Sequence, residues 1–175
     1  MSMTTIVTIV IVVVTLVLAL VLIKTIFSSS TSAVTQVNSA IQNQINQLFT
    51  TENTNLVIYP EDRQVQVSRG GSPSGFAFSV KNDGTQAAQY NYNVAASDVS
   101  NCGSAITLAQ ANSFVLGASG PISIAAGQQL DLPILVEFSI PKAAVPCTVI
   151  YSVTINETTP TPGPYESTNV FLTIK

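Results

Sequence analysis

From Ile6 to Ile23 the chain reads IVTIVIVVVTLVLALVLI, broken only by Thr8 and Thr15. A helix over this stretch would be about 27 Å long, enough to cross a hydrocarbon core. After Phe27 the apolar residues thin out to Val34, Val37, Ile41, Ile45 and Leu48, with Ala33, Ala40 and Phe49 beside them. Steps of three and four place these on one stripe of a helix. The pattern predicts one long helix over 1–52. Its apolar segment is 5–27 and its amphipathic continuation is 28–52, with a soft point at Ser28-Ser29-Ser30. Along it Ile6, Val10, Val13, Val17, Leu20, Ile23 and Phe27, then Val34, Val37, Ile41, Ile45 and Leu48, form the candidate packing line.

Past Asn53 the period drops to two. Phe76, Phe78 and Val80 alternate with small or polar residues, as do Tyr90, Tyr92 and Val94. Strands are predicted at Leu56–Tyr59, Gln64–Ser68, Gly75–Lys81, Ala88–Ala95, Ile106–Leu108, Phe114–Leu116, Ile122–Ile124, Leu130–Ile140, Cys147–Ile155 and Asn169–Ile174. Asn82-Asp83-Gly84 between two alternating runs reads as a hairpin turn. Thr158 to Pro164, TTPTPGP, reads as an extended loop outside the ladders. Short strands at this spacing, with no helical pattern between them, predict an antiparallel β-sandwich over 53–175. The fold class expected is therefore α+β: a long N-terminal apolar α-helix followed by an antiparallel, Ig-like β-sandwich that is surface-exposed. There is no Trp, so the antibody-type Cys…Trp…Cys arrangement is absent.

Composition narrows the function. Charged residues are 9% of the chain, and the net charge is -3. About 25% is usual for a soluble domain, and nucleic-acid binding needs a basic face, so no nucleic-acid partner is expected. The absence of His removes the commonest general base and metal ligand together. Glu61-Asp62 beside Arg63 reads as a solvated turn, and Gly70-Gly71 lacks the lysine and helix start of a phosphate loop. No catalytic residue, metal ligand or cofactor is expected, and the chain is read as a non-enzyme. Cys102 and Cys147 read as a disulfide closing a loop of about 45 residues, worth about 3–4 kcal/mol. Two buried thiols are the alternative. Asn156-Glu157-Thr158 has the form of an N-glycosylation acceptor at Asn156.

Three identities compete for the apolar run. A cleaved signal peptide would have a basic start and a shorter apolar stretch. A plain anchor with the disulfide-containing domain outside would carry its basic residue on the other flank, since positive charge marks the cytoplasmic side. Here Lys24 follows the run. A processed filament subunit, its short basic leader already removed, would lack that flank. The continuation from Thr25 to Thr51 also carries no charge, which suits a helix surrounded by protein. A helix packed along one stripe on its own sandwich is the alternative for that part.

In plan the whole chain resembles archaeal type IV pilin-like proteins, the pilins and archaellins. The resemblance rests on Thr5 to Phe27, the stripe Val34 to Phe49, and the strand-rich remainder from Leu56. It implies removal of a leader by a prepilin peptidase, an assembly machinery, and residence in the membrane before assembly. Identical subunits would then join in a helical filament on the cell surface. Bacterial-type pilins carry a glutamate where this chain has Thr5, and archaeal members often lack that acid. The function expected is thus a structural pilin serving adhesion, attachment or motility, with glycans as compatible partners. The alternative is a single-pass, membrane-anchored Ig-like binding module or a minor pilin.

Overall fold

A computed structural model of the chain describes residues 41–49 and 54–175. Of the candidate packing line, Ile6, Val10, Val13, Val17, Leu20, Ile23, Phe27, Val34 and Val37 lie outside the described residues. The compact units divide between Ala40 and Ile41.

The described part begins with a helix, α1 (residues 41–49). Nine strands follow: β1 (Leu56–Tyr59), β2 (Gln64–Val67), β3 (Ser74–Val80), β4 (Ala88–Asp98), β5 (Val115–Leu116), β6 (Ser119–Ile124), β7 (Ile134–Phe138), β8 (Thr148–Thr159) and β9 (Gly163–Ile174). Between β4 and β5 lie a 3-10 turn, Ser100–Cys102, and a short helix, α2 (Leu108–Asn112). The strands form two sheets, ordered β1-β3-β7-β5 and β2-β9-β8-β4-β6.

The α+β expectation is corrected here. The described residues form a two-sheet β-sandwich with short helices only, and none of those helices is long and apolar enough to cross a membrane. Pairing is not wholly antiparallel either, because β2 runs parallel to β9. Ile106–Leu108 is not a strand. Thr107 and Gln110 form a reciprocal capping box that starts α2 instead. The TTPTPGP segment is not a loop throughout, since β8 runs on to Thr159 and β9 starts at Gly163.

Alternation explains the core. Phe76, Phe78, Val136 and Phe138 point inward from the four-stranded sheet, and Tyr90, Tyr92, Tyr151 and Leu172 from the five-stranded one. Phe78 meets Tyr92 edge-on at 5.2 Å, and Phe138 meets Tyr151 at 4.8 Å. Such cross-sheet pairs add about 0.5–1.5 kcal/mol beyond their burial. The buried Tyr151 hydroxyl donates to the Ala111 carbonyl at 2.7 Å, so it seats α2 on the core. Cys102 and Cys147 are bonded, with Cα atoms 5.1 Å apart, and tie the turn after β4 to the start of β8.

Strand β1 is buried on both faces. Leu56 and Ile58 face the core, while Val57 faces out and meets Ile45 and Leu48 of α1 together with Ala77 of β3. Ile41 and Phe49 pack at the margin of this second cluster. For the described end of the candidate line, the apolar stripe is therefore spent on the chain's own sheet. Gln42 donates to the Asp131 carbonyl and fixes the same helix to the loop before β7.

Candidate functional site

Asn82-Asp83-Gly84 does not make a hairpin, because β3 and β4 belong to different sheets. The physical reason lies in Asn82, which is buried. Its Nδ2 donates to the carbonyls of Gln86 at 2.8 Å and of Ile124 and Ala125 at 3.2 Å. Its Oδ1 accepts the Gly84 N–H at 2.9 Å. One side chain thus carries the chain across the sandwich end and fastens it to the end of β6.

Two bulges bring β8 and β9 to the same place. The β4–β8 register steps from Tyr90↔Glu157 to Gln89↔Thr159, leaving Thr158 unpaired. The β8–β9 register steps from Ile155↔Glu166 to Asn156↔Pro164, leaving Tyr165 unpaired. A bulge re-aims its side chain. Tyr165 turns to the sandwich end, where its hydroxyl donates to the Lys81 carbonyl at 2.7 Å or to Asp83 Oδ1 at 3.1 Å. Its ring lies 4.8 Å from that of Tyr90.

The result is an open cleft of about 380 Å³, floored by Ala88 and Tyr90 and walled by Asp83, Gln86, Glu157, Thr161 and Tyr165. Asp83 Oδ2 also accepts from Asn55 at 3.1 Å, and Glu157 Oε1 accepts the Thr161 N–H at 3.2 Å. The hydrogen bonds from Asn55 and Tyr165 hold the Asp83 carboxyl below its ordinary range. Burial pushes the Tyr165 hydroxyl up. Burial first, and then the charges of Glu157 and Asp83, raise that of Tyr90. Two carboxylates, Asp83 and Glu157, therefore stand in a polar cleft with an aromatic wall.

The other sequence candidates lie apart from it. The Cys102–Cys147 bond is structural and closes the far part of β4 onto β8. Asn156 is exposed and pairs with Asn91 on β4, on the outer face of the five-stranded sheet. Sequence reading missed the cleft because its walls are set by bulges, which leave no mark in the alternation. The signal that could have pointed to it is Asn82-Asp83-Gly84, since a buried Asx turn uses the same residues as a hairpin. Among the described residues, no group of three or more His, Cys, Asp or Glu side chains could hold a metal ion.

The two outer sheet faces differ. On the four-stranded sheet, Leu135 of β7 and Leu116 of the edge strand β5 are 52% and 46% exposed, and Leu132, in the loop before β7, is 61% exposed. Leu135 is the register partner of Ala77, which α1 covers, so the apolar surface runs on past the helix. The other outer face carries Asn91, Asn93, Ser152, Thr154 and Asn169. Its large apolar residues are Phe171, 40% exposed, and its partly exposed register partner Ile150.

No family model and no curated protein matches this chain. Solved structures resemble its fold distantly. WR4, an MSP family member of C. elegans, is 10% identical with a TM-score of 0.42, covering 70% of this chain and 99% of its own. A family 123 glycoside hydrolase from Clostridium perfringens is 10% identical with a TM-score of 0.45, covering 68% of this chain and 26% of the hydrolase. The PapD-like domain 7 of human CEP192 is 11% identical with a TM-score of 0.38, covering 70% and 84%. At these values the function has to be argued from the chain's own residues.

Proposed function

We propose that this protein is a structural subunit of an extracellular, archaeal type IV pilus-like filament, a non-enzyme held by its apolar N-terminal segment. On this reading the segment holds the chain in the membrane before assembly and is buried among identical subunits afterwards. The sandwich packs against neighbouring copies through the leucine-bearing outer face and presents the uncharged face to the surroundings.

The observation that carries the reading is the unequal pair of outer faces on a chain that also carries the apolar run Ile6–Ile23. Exposed leucines next to an already packed apolar cluster mark a surface that gains by association. Burying each would contribute about 1.5–3 kcal/mol. Contacts of this kind that do not close into a ring generate a helical polymer. The disulfide suits an oxidising exterior.

Cells producing the full chain are expected to carry filaments visible by negative staining. Mass spectrometry of those filaments would give the native N-terminus and any glycan at Asn156. A chain found only as detergent-extracted monomers, with no filament pool, would overturn the reading. Carbonate-resistant membrane fractionation in that case would favour a membrane-anchored surface binding module.

A further inference from the structure

We propose that the cleft between the β3–β4 crossing and the bulged ends of β8 and β9 is a binding site for neutral saccharide. The inference is independent of filament assembly. Two bulges, at Thr158 and Tyr165, converge on one place and open a cleft of about 380 Å³. Small-molecule sites run from about 300 to 1,000 Å³.

The chemistry of the walls selects the ligand class. Asp83 and Glu157 repel anions, and no cationic side chain lines the cleft. An apolar ligand would strip water from both carboxylates without replacing it. A bare cation is disfavoured because donors already point at these carboxylates: Asn55 at Asp83, and the Thr161 N–H at Glu157. Each carboxylate oxygen keeps a further lone pair, and a carboxylate accepts up to about four hydrogen bonds. Neutral polyols supply the matching donors. The exposed Thr85, Gln86 and Thr161 side chains can donate to or accept from neighbouring hydroxyls. The half-buried ring of Tyr165 offers a flat apolar wall for the C–H face of a sugar ring. The lowered pKa of Asp83 keeps its carboxylate an acceptor down to acid pH.

The test is saturation-transfer NMR on the full chain in deuterated detergent. Cellobiose, mannobiose, lactose and N,N′-diacetylchitobiose serve as probes, each alone. At least one should receive saturation on its ring protons, with weak affinity. Glu157→Gln, which keeps the shape, and Thr161→Arg, which fills the rim, should each cut the transfer about tenfold, the scale of one lost charge-assisted hydrogen bond. Asn93→Arg, on the outer face of the five-stranded sheet, should leave it unchanged. Melting curves check that each variant is folded, and if Glu157→Gln is not, Thr161→Arg on the exposed loop decides. No transfer from any of the four probes overturns the proposal. So does transfer abolished by Asn93→Arg and indifferent to the cleft variants, which would move the site to the flat face.

Discussion

The two sheets have equally well-filled inner faces and opposite outer ones. On the four-stranded sheet Val57 and Ala77 face away from the core, yet they are buried, because Ile45 and Leu48 of α1 lie on them. The same face then carries the exposed Leu135 and, past Glu137, Leu116. On the five-stranded sheet the corresponding positions are Asn, Ser and Thr, whose side chains remain hydrated or bond locally, as Thr154 does to the Asn93 carbonyl at 3.3 Å. Hydrophobic burial scales with apolar area removed from water. Covering the leucines of the first face therefore removes apolar area from water, whereas the second face offers such area only around Phe171 and Ile150. One sandwich is thus two-sided, with one side suited to packing and the other to solvent.

The sharpest way to break that contrast is to cut matching side chains from the two faces. Ile45→Ala should cost about 2–5 kcal/mol, since it leaves a cavity between α1 and β1. Phe171→Ala, exposed on the other face, should cost far less. Thermal unfolding of the two full-length variants makes the comparison, and equal losses would deny that α1 is a packed part of the fold. Next comes Asn82→Ala, which takes the side-chain donor from the Gln86, Ile124 and Ala125 carbonyls at the sandwich end. The Ala125 carbonyl keeps the Gln128 N–H, so the loss falls on the Gln86 and Ile124 contacts and on the Gly84 N–H; about 1–3 kcal/mol is expected, read by the same melting curves.

Smaller effects concern the surface itself. Leu132→Ser and Leu135→Ser should each change stability by no more than about 0.5 kcal/mol. They should nonetheless weaken self-association in sedimentation experiments. Asn93→Ser on the opposite face should change neither property.

The smallest effect is one of pH. Asp83 titrates below its ordinary value when folded, mainly through the Asn55 hydrogen bond, so the unfolded chain binds its proton more readily. Its contribution is present above the unfolded pKa, near 3.8, and is lost as pH falls through the lower folded value. Melting temperature should therefore drop with acid below about pH 4, less steeply in Asn55→Ala and with this component absent in Asp83→Asn.

The sandwich was legible because its strands alternate. Leu56–Tyr59 coincides with β1, and the runs around Phe76–Val80 and Tyr90–Val94 fall in β3 and β4. What alternation cannot carry is which sheet a strand joins. Asn82 looks like a turn residue in either case, and only its three carbonyl partners reveal a crossing between layers. Pro160, Pro162 and Pro164 argued against a ladder. Pro164 nonetheless sits beside the bulge in β9, where the ladder is locally relaxed. Helix α2 was misread from Ile106, although Thr107 and Gln110 spell a capping box. The stripe at Ile41, Ile45 and Leu48 was legible as an apolar face. Its partner was not, because an intramolecular sheet and a neighbouring subunit offer the same hydrophobic surface.

Hydroxyl-radical footprinting of assembled against detergent-dispersed full-length protein bears most directly on the two-sided subunit. Leu116, Leu132 and Leu135 should lose most of their labelling in the assembled material, while Phe171 on the other sheet should be labelled equally in both states. Protection of Phe171 with the three leucines still labelled would contradict the assignment of the packing face.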